Sequence, residues 1–271
     1  MDYLDYYHLR EHPFSNVVNN RFYYNSVQHA DALTKLKYAI DSKKGLAVVI
    51  GDVGTGKTTL ARRLLEDLDE EYYEATLLVV IHSSVSSDWL LRKFAMQLGI
   101  EDIKEGKLEI LGQIYRRLVE INESGRKAVI LIDEVQMLNS RELMEEFRGF
   151  LNMETHDGKM SNFVFFGLPE FENLLSLDEP LKQRVAVRVK LTSLTEEGTV
   201  DYIRHRLHIA GAEKDIFSGD AIRRVYRYSR GVPRLINTIC DNALLEGYLL
   251  KRVSIEADIV DAVAVDLALQ V

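Results

Sequence analysis

Cysteine is almost absent: Cys240 is the only one in 271 residues. That excludes a disulfide framework, and with it a multi-cysteine zinc site or an iron–sulfur cluster. Glycine and proline number 16 and 4, too few for a collagen-like or low-complexity chain. No apolar run approaches the roughly 18 residues that span a bilayer; the longest, such as 128–132, have strand length. Asp2 and Asp5 stand where a secretory signal carries basic residues. The chain is therefore expected to be cytoplasmic and without a transmembrane segment. Basic residues are also in deficit, with 34 Lys and Arg against 42 Asp and Glu and a net charge of −8. That balance weighs against a dedicated nucleic-acid binder. The seven histidines show no H-E-x-x-H pairing, so no zinc site is expected.

What remains is ordinary globular material, 46% from the hydrophobic set and 28% charged, enough to bury a sizeable core. Residues 1–44 are rich in aromatics (Tyr3, Tyr6, Tyr7, Phe14, Phe22, Tyr23, Tyr24) and are expected to pack on the core as one segment. Beyond them strand-like and helix-like patterns alternate. Apolar runs at 46–50, 77–81, 128–132 and 163–166 suit parallel strands covered on both faces. A fifth, 185–191, alternates Val185, Val187, Val189 and Leu191 with Ala186, Arg188 and Lys190, which suits an edge strand with one exposed face. Helical spacing fills the intervals, as in Leu60, Ala61, Leu64, Leu65 and Leu68. Alternating strands and helices imply a parallel sheet with helices on both faces, hence an α/β core at 45–193. After Leu191 only helical patterns occur, so 194–271 is read as a small all-helical domain.

Two strand ends carry chemistry. Gly51, Asp52, Val53, Gly54, Thr55, Gly56, Lys57 and Thr58 match G-x-x-x-x-G-K-[ST], followed by Thr59 in a helical pattern. The glycines let backbone N–H groups curl around phosphate oxygens. Lys57 supplies a charge for the β and γ phosphates, Thr58 a hydroxyl for Mg²⁺, and the helix its positive end. At the end of the third strand Asp133 and Glu134 stand side by side, where the carboxyl ends of an open sheet face the ligand crevice. Asp133 suits Mg²⁺, and Glu134 suits the activation of an attacking water. Phosphoryl transfer also needs cations at the γ phosphate, and Arg184 and Arg234 are candidates. Blander readings apply elsewhere. Cys240 lies among Ile236, Ile239 and Leu244 as a core thiol, and Trp89 is a packing residue. Arg223, Arg224, Arg227 and Arg230 form a solvated basic face, with DNA or an acidic partner as the alternative.

Taken together these residues carry a family resemblance over nearly the whole chain. Tyr6, Tyr7, His8, Leu9, Arg10, Glu11, His12, Pro13 and Phe14, then Phe22, Tyr23, Tyr24, Asn25, Ser26 and His29, are similar to the opening of the AAA+ ATPases of the ExeA type, also called general secretion pathway protein A. Residues 51–58 match its Walker A motif and 130–134 its Walker B motif. Leu181, Lys182, Gln183 and Arg184 resemble the segment that lends an arginine to a neighbouring subunit. Gly231, Val232, Pro233, Arg234, Leu235, Ile236 and Asn237 resemble the sensor-2 motif, which implies that Arg234 contacts the γ phosphate in cis. One departure stands out: Leu168 occupies the position where the family carries a polar sensor-1 residue, and Asn162 is the polar neighbour.

The resemblance implies a P-loop AAA+ fold, a five-stranded parallel core with a C-terminal helical lid. It implies an ATPase using ATP and Mg²⁺, catalytic residues Glu134, Lys57, Arg184 and Arg234, and ATP-dependent homo-oligomers. The expected role is to energise or switch assembly of a bacterial secretion or pilus machine of the envelope, from the cytoplasm or peripheral to the inner membrane through a partner. Family members often continue into a membrane span and a peptidoglycan-binding domain; neither is expected within these residues, nor is direct wall contact. Two other readings share the same core: a DNA-associated transposition-type ATPase, and a non-hydrolysing nucleotide-dependent scaffold, which the missing polarity at Leu168 favours and the intact Asp133 and Glu134 oppose.

Overall fold

A computed structural model describes residues 2–270, which fall into two compact units. The first is built on a sheet and holds Val27–Val53 and Leu60–Leu191. Its strands are β1 (Leu46–Gly51), β2 (Tyr73–Val79), β3 (Lys127–Asp133), β4 (Glu154–Thr155), β5 (Gly158–Lys159), β6 (Ser161–Gly167) and β7 (Val185–Leu191). β4 and β5 form a small antiparallel hairpin. The other five make one sheet in the order β2-β3-β6-β1-β7, and every pairing is parallel.

Position in the sheet explains the residue patterns. β1 and β6 are buried along their whole length, so both faces of each strand are apolar. On one face Phe163 and Phe165 meet Phe94, Phe147, Phe150 and Phe171 in edge-on and tilted ring contacts, the tightest being Phe147 to Phe165 at 4.9 Å. Such offset geometries suit the ring quadrupoles. Helices Ser87–Gln97 and Arg141–Leu151 deliver Phe94, Phe147 and Phe150, each helix started by a serine N-cap, Ser86 or Ser140. Helix Val27–Asp41 lies against β7, β1, β3 and β6 and buries Leu36, Ala39 and Ile40.

β7 is an edge strand, as its alternation predicts, with Ala186, Arg188 and Lys190 exposed. β2 corrects the sequence reading. The apolar run pointed to 77–81, but the strand begins at Tyr73 and ends at Val79. As the opposite edge it tolerates Tyr73, Glu74 and Thr76 in half-buried positions, and these hide its first half from a search for apolar runs.

The second unit runs up to Ser26, includes Gly54–Thr59, and resumes at Thr192. Its longer helices are Glu196–Ile209, Gly219–Ser229, Pro233–Leu249 and Ala257–Asp266. Their core joins Ile203, Leu207, Ile236, Ile239, Cys240 and Leu244 to Tyr3, Tyr7, Leu9, Phe14 and Phe22. The expectation that residues 1–44 pack as one segment on the sheet core is thereby corrected. The stretch up to Ser26 is built into the helical unit, and only the helix from Val27 joins the sheet. Hydrogen bonds fix the aromatic stretch in place: Tyr7 Oη donates to the Arg252 carbonyl at 2.9 Å, and Arg10 N–H donates to the Ala210 carbonyl at 2.8 Å. Arg206 is buried and donates to the carbonyls of Pro13 and Ser15, with its guanidinium over the Phe22 ring. A cation held by carbonyls and a π face leaves no pattern in the sequence that assigns the aromatics to one unit or the other.

Cys240 is a core thiol, fully buried, and burial raises its pKa, keeping it protonated. At Gly231 the chain has no alternative. With φ at +74°, a β-carbon there would lie 1.9 Å from the Leu194 carbonyl oxygen, and the Gly231 carbonyl accepts from Leu194 N–H at 2.8 Å.

Candidate nucleotide site

β1 runs out at Gly51, and the helix Lys57–Glu66 begins six residues later. Between them the backbone turns through left-handed conformations at Gly54 (φ +80°) and Gly56 (φ +100°), which L side chains rarely adopt. Asp52 and Val53 are exposed, whereas Thr55 and Lys57 are buried. Lys57, Thr58 and Thr59 open the helix, where first-turn N–H groups have no intrahelical acceptor and the dipole favours an anion.

Arg234 is attached to this loop through its backbone. Its N–H donates to the Gly54 carbonyl at 3.3 Å, and a β-carbon on Gly54 would stand 2.9 Å from Arg234 Cβ and 3.0 Å from Val232 Cγ1. The glycine thus serves both the turn and the close approach. Arg234 itself, second residue of the helix Pro233–Leu249, is exposed.

On the sheet, Asp133 ends β3 and Gly51 ends β1, and β6 lies between the two strands. Since all three are parallel, both residues sit at the carboxyl edge. Asp133 is 1% exposed and accepts the Glu134 N–H at 2.9 Å. Glu134 is half-buried and left-handed (φ 57°, ψ 38°), turning the chain sharply from the strand into the short 3-10 turn Val135–Met137. A non-glycine residue held there is strained, a feature that concentrates at functional sites. Gln136, which the sequence reading passed over, donates to Glu134 Oε2 and accepts from Leu168 N–H. Its only trace in the sequence is polarity in a turn that otherwise reads Val135, Met137, Leu138.

Arg184 is elsewhere. It precedes β7, whose first residue pairs with Leu46 at the amino end of β1, while Leu191 pairs with Gly51. About 20 Å of strand, at ~3.3 Å per residue, separates Arg184 from the carboxyl edge. Its guanidinium donates to the Pro180 carbonyl at 2.7 Å and to Asn152 Oδ1 at 2.8 Å. Asn162 is likewise at the amino end of β6, buried, with Oδ1 accepting from Gly45 N–H and Nδ2 donating to the Ala128 carbonyl. It ties strands together and does not reach the carboxyl edge. In the basic face of helix Gly219–Ser229, Arg223 pairs with Asp220 and Arg224 with Asp261.

Comparison with known proteins follows the same lines. The family described as "AAA domain" matches residues 40–175, half of the chain. "General secretion pathway protein A" of Aeromonas hydrophila is 33% identical over 249 residues, covering 91% of this chain and 45% of that protein. The resemblance drawn from the motifs is thus met by direct similarity, though the chain spans less than half the length of this curated relative. Among solved structures, Cdc6p from Pyrobaculum aerophilum superposes with a TM-score of 0.70 at 17% identity, over 94% of this chain and 70% of that one. The Aeropyrum pernix ORC2 protein in ADPNP–ADP complexes gives 0.68 at 16%, over 94% and 71%. The Thermotoga maritima RuvB Holliday junction branch migration motor gives 0.61 at 19%, over 91% and 73%. At such identities the likeness shows the fold, a P-loop AAA+ sheet with C-terminal helices.

Proposed function

We propose that this chain, which belongs to the AAA domain family, binds ATP with Mg²⁺ and hydrolyses it. The observation that carries the reading is that β1, which runs out at Gly51 into the glycine-rich 51–58 sequence, and β3, which ends in buried Asp133 and left-handed Glu134, present their carboxyl ends on one edge of a parallel sheet. The residues fit the ligands. The left-handed glycines shape a cradle of backbone amides, buried Lys57 opens a helix, and Thr58 and Asp133 offer the hard oxygen donors that Mg²⁺ selects. When bound, Mg²⁺ neutralises charge on the β and γ phosphates.

Within that frame each residue has a task. The loop amides and Lys57 hold the phosphates in line. Glu134 takes the proton of the attacking water as oxygen bonds to the γ phosphorus and the bond to the bridging oxygen breaks, leaving ADP and phosphate. Arg234 supplies positive charge to the γ phosphate in the same subunit. Arg184, about a strand length from its own carboxyl edge, acts on the nucleotide of a neighbouring copy, which makes the active form a homo-oligomer.

The similarity to general secretion pathway protein A supports assembly of an envelope secretion or pilus machine as the work that hydrolysis drives. No helix among the described residues is long and apolar enough to cross a membrane, and membrane placement through a partner fits this reading. A DNA-associated role is the second reading, since the Aeropyrum pernix ORC1 protein, similar in fold, was solved in complex with DNA. The pairing of Arg223 with Asp220 on its own helix and of Arg224 with Asp261 on the helix Ala257–Asp266 weakens it. The test is ATP hydrolysis against protein concentration, with Mg²⁺ or chelator and with or without double-stranded DNA. A cooperative, Mg²⁺-dependent rise without DNA is expected. Stimulation by DNA that fades at higher salt selects the DNA reading. Hydrolysis in no condition leaves a nucleotide-dependent scaffold.

A further inference from the structure

We propose that Gln136 is the positioning residue for Glu134, held in the turn after β3 by its own bond to the Leu168 N–H. The proposal rests on the ATPase reading above for its catalytic meaning, but the contact itself is independent of that reading. Both ends of the Gln136 amide are used. Nε2 donates to Glu134 Oε2 at 2.5 Å, and Oε1 accepts the Leu168 N–H at 3.1 Å. The chemistry fixes which end is which. A backbone N–H only donates, so it must meet the amide oxygen, and the amide nitrogen is then the end that meets the carboxylate.

The surroundings hold this geometry. The turn Val135–Met137 packs on β6 and on the helix Glu170–Leu177. Val135 and Leu138 on either side are fully buried, so Gln136 has little freedom to swing. Gly167, the last residue of β6, makes room for it: a β-carbon there would meet Val135 Cγ1 at 2.7 Å and Gln136 Oε1 at 3.3 Å. Glu134 meanwhile sits on a left-handed backbone and has three side-chain torsions of its own. Without a partner its carboxylate would sample several rotamers. The amide restrains one oxygen by a charge-assisted bond and leaves the other for the proton of the attacking water. It also joins the carboxylate to the carboxyl end of β6, so a shift of that strand end is passed to Glu134 through two hydrogen bonds.

The test replaces Gln136 with Leu and, as a second apolar variant of similar shape, with Met; the variant whose thermal unfolding matches wild type is used. We expect kcat to fall between about 10- and 100-fold, as misplacement of a reacting group by about an ångström does. KM and the affinity for a fluorescent ATP analogue should stay within about twofold of wild type. Gln136→Glu, which sets a second carboxylate against the first, should also move the pH profile of kcat, whereas the apolar variants lower it without that displacement. In a Glu134→Gln background, Gln136→Leu should add no further loss, because it acts through Glu134. An unchanged kcat in the apolar variants, or an undiminished loss in that background, overturns the proposal. Normal turnover by Glu134→Gln overturns instead the assignment of the base. The contact is then judged by side-chain ¹⁵N NMR: the Gln136 amide resonances should shift and exchange faster in Glu134→Ala, and resonances that do not respond overturn the clamp regardless of activity.

Discussion

The turns that follow β1 and β3 leave the same edge of one sheet and are built by opposite means. After β1 the chain uses glycine. Gly54 and Gly56 take left-handed conformations at no steric penalty, and the loop's donors are its own amides. After β3 the chain uses no glycine. Glu134 takes the left-handed position itself, and the turn is held by side chains, Asp133 to the Glu134 N–H and Gln136 to the Glu134 carboxylate. A loop that recognises phosphate with backbone can be written in glycine spacing. A turn that must aim one carboxylate needs a side chain at the strained position and a second side chain to hold it. On the proposed reading the first design binds and the second reacts, so substitutions in the two should separate affinity from turnover.

The largest separation is expected from Glu134→Gln. If the turn after β3 serves only the chemical step, kcat falls about 10³-fold and ATP affinity stays within about twofold. Stopped-flow binding beside steady-state phosphate release checks both, and equal losses in the two would break the division between binding and reacting turns. On the other side, Lys57→Ala should lower ATP affinity about 100-fold, or about 2.7 kcal/mol. An unchanged Kd in titration calorimetry would remove Lys57 from the phosphate contact.

These two residues also mark what sequence could tell. Lys57 and its glycines are legible because a backbone cradle fixes residue type at each step. Asp133 and Glu134 are legible because an apolar strand ending in acids is rare; β1, β3 and β6 are legible because central parallel strands bury both faces, and β7 because its alternation marks an edge. Other features left no local trace. The Gln136 amide that meets Glu134 is anchored by a hydrogen bond from a residue 32 positions away. The aromatic stretch up to Ser26 joins the helical unit through Arg206, 193 residues from Pro13. The polar first half of β2 is permitted only because that strand is an edge. In each case the deciding partner is distant in the chain, and periodicity reports only a residue's near neighbours.

Gly54→Ala sharpens the comparison on the loop side. Its φ of +80° disfavours any L side chain, and the new methyl group would stand 2.9 Å from Arg234 Cβ. The expected effect is about tenfold in ATP affinity, from about 1–2 kcal/mol of backbone strain. The same variant should loosen the tie between the loop and the Arg234 backbone, measured as faster exchange of the Arg234 amide. Wild-type affinity would mean that the loop's left-handed turn is not what holds phosphate.

The smallest effect tests the strain in the other turn. Replacing Glu134 by Gly or by Ala removes the same carboxylate and the same hydrogen bond to Gln136, and both should abolish turnover equally. They differ in the backbone. At φ 57° and ψ 38° glycine is at ease and alanine is not, so Glu134→Gly should be more stable than Glu134→Ala by about 1 kcal/mol. In a unit of this size that corresponds to about 2–4 °C in thermal unfolding. The sign matters more than the size. Glycine takes such a conformation at Gly54, Gly56 and Gly231, whereas His8, Lys43, Arg230, Lys251 and Ala268 take it as Glu134 does, so the conformation alone assigns no function. A glutamate that keeps the strained position is explained if its carboxylate is needed at that spot. If the glycine and alanine variants unfold together, the left-handed conformation carries no strain, and the residue could be glutamate for reasons unrelated to chemistry.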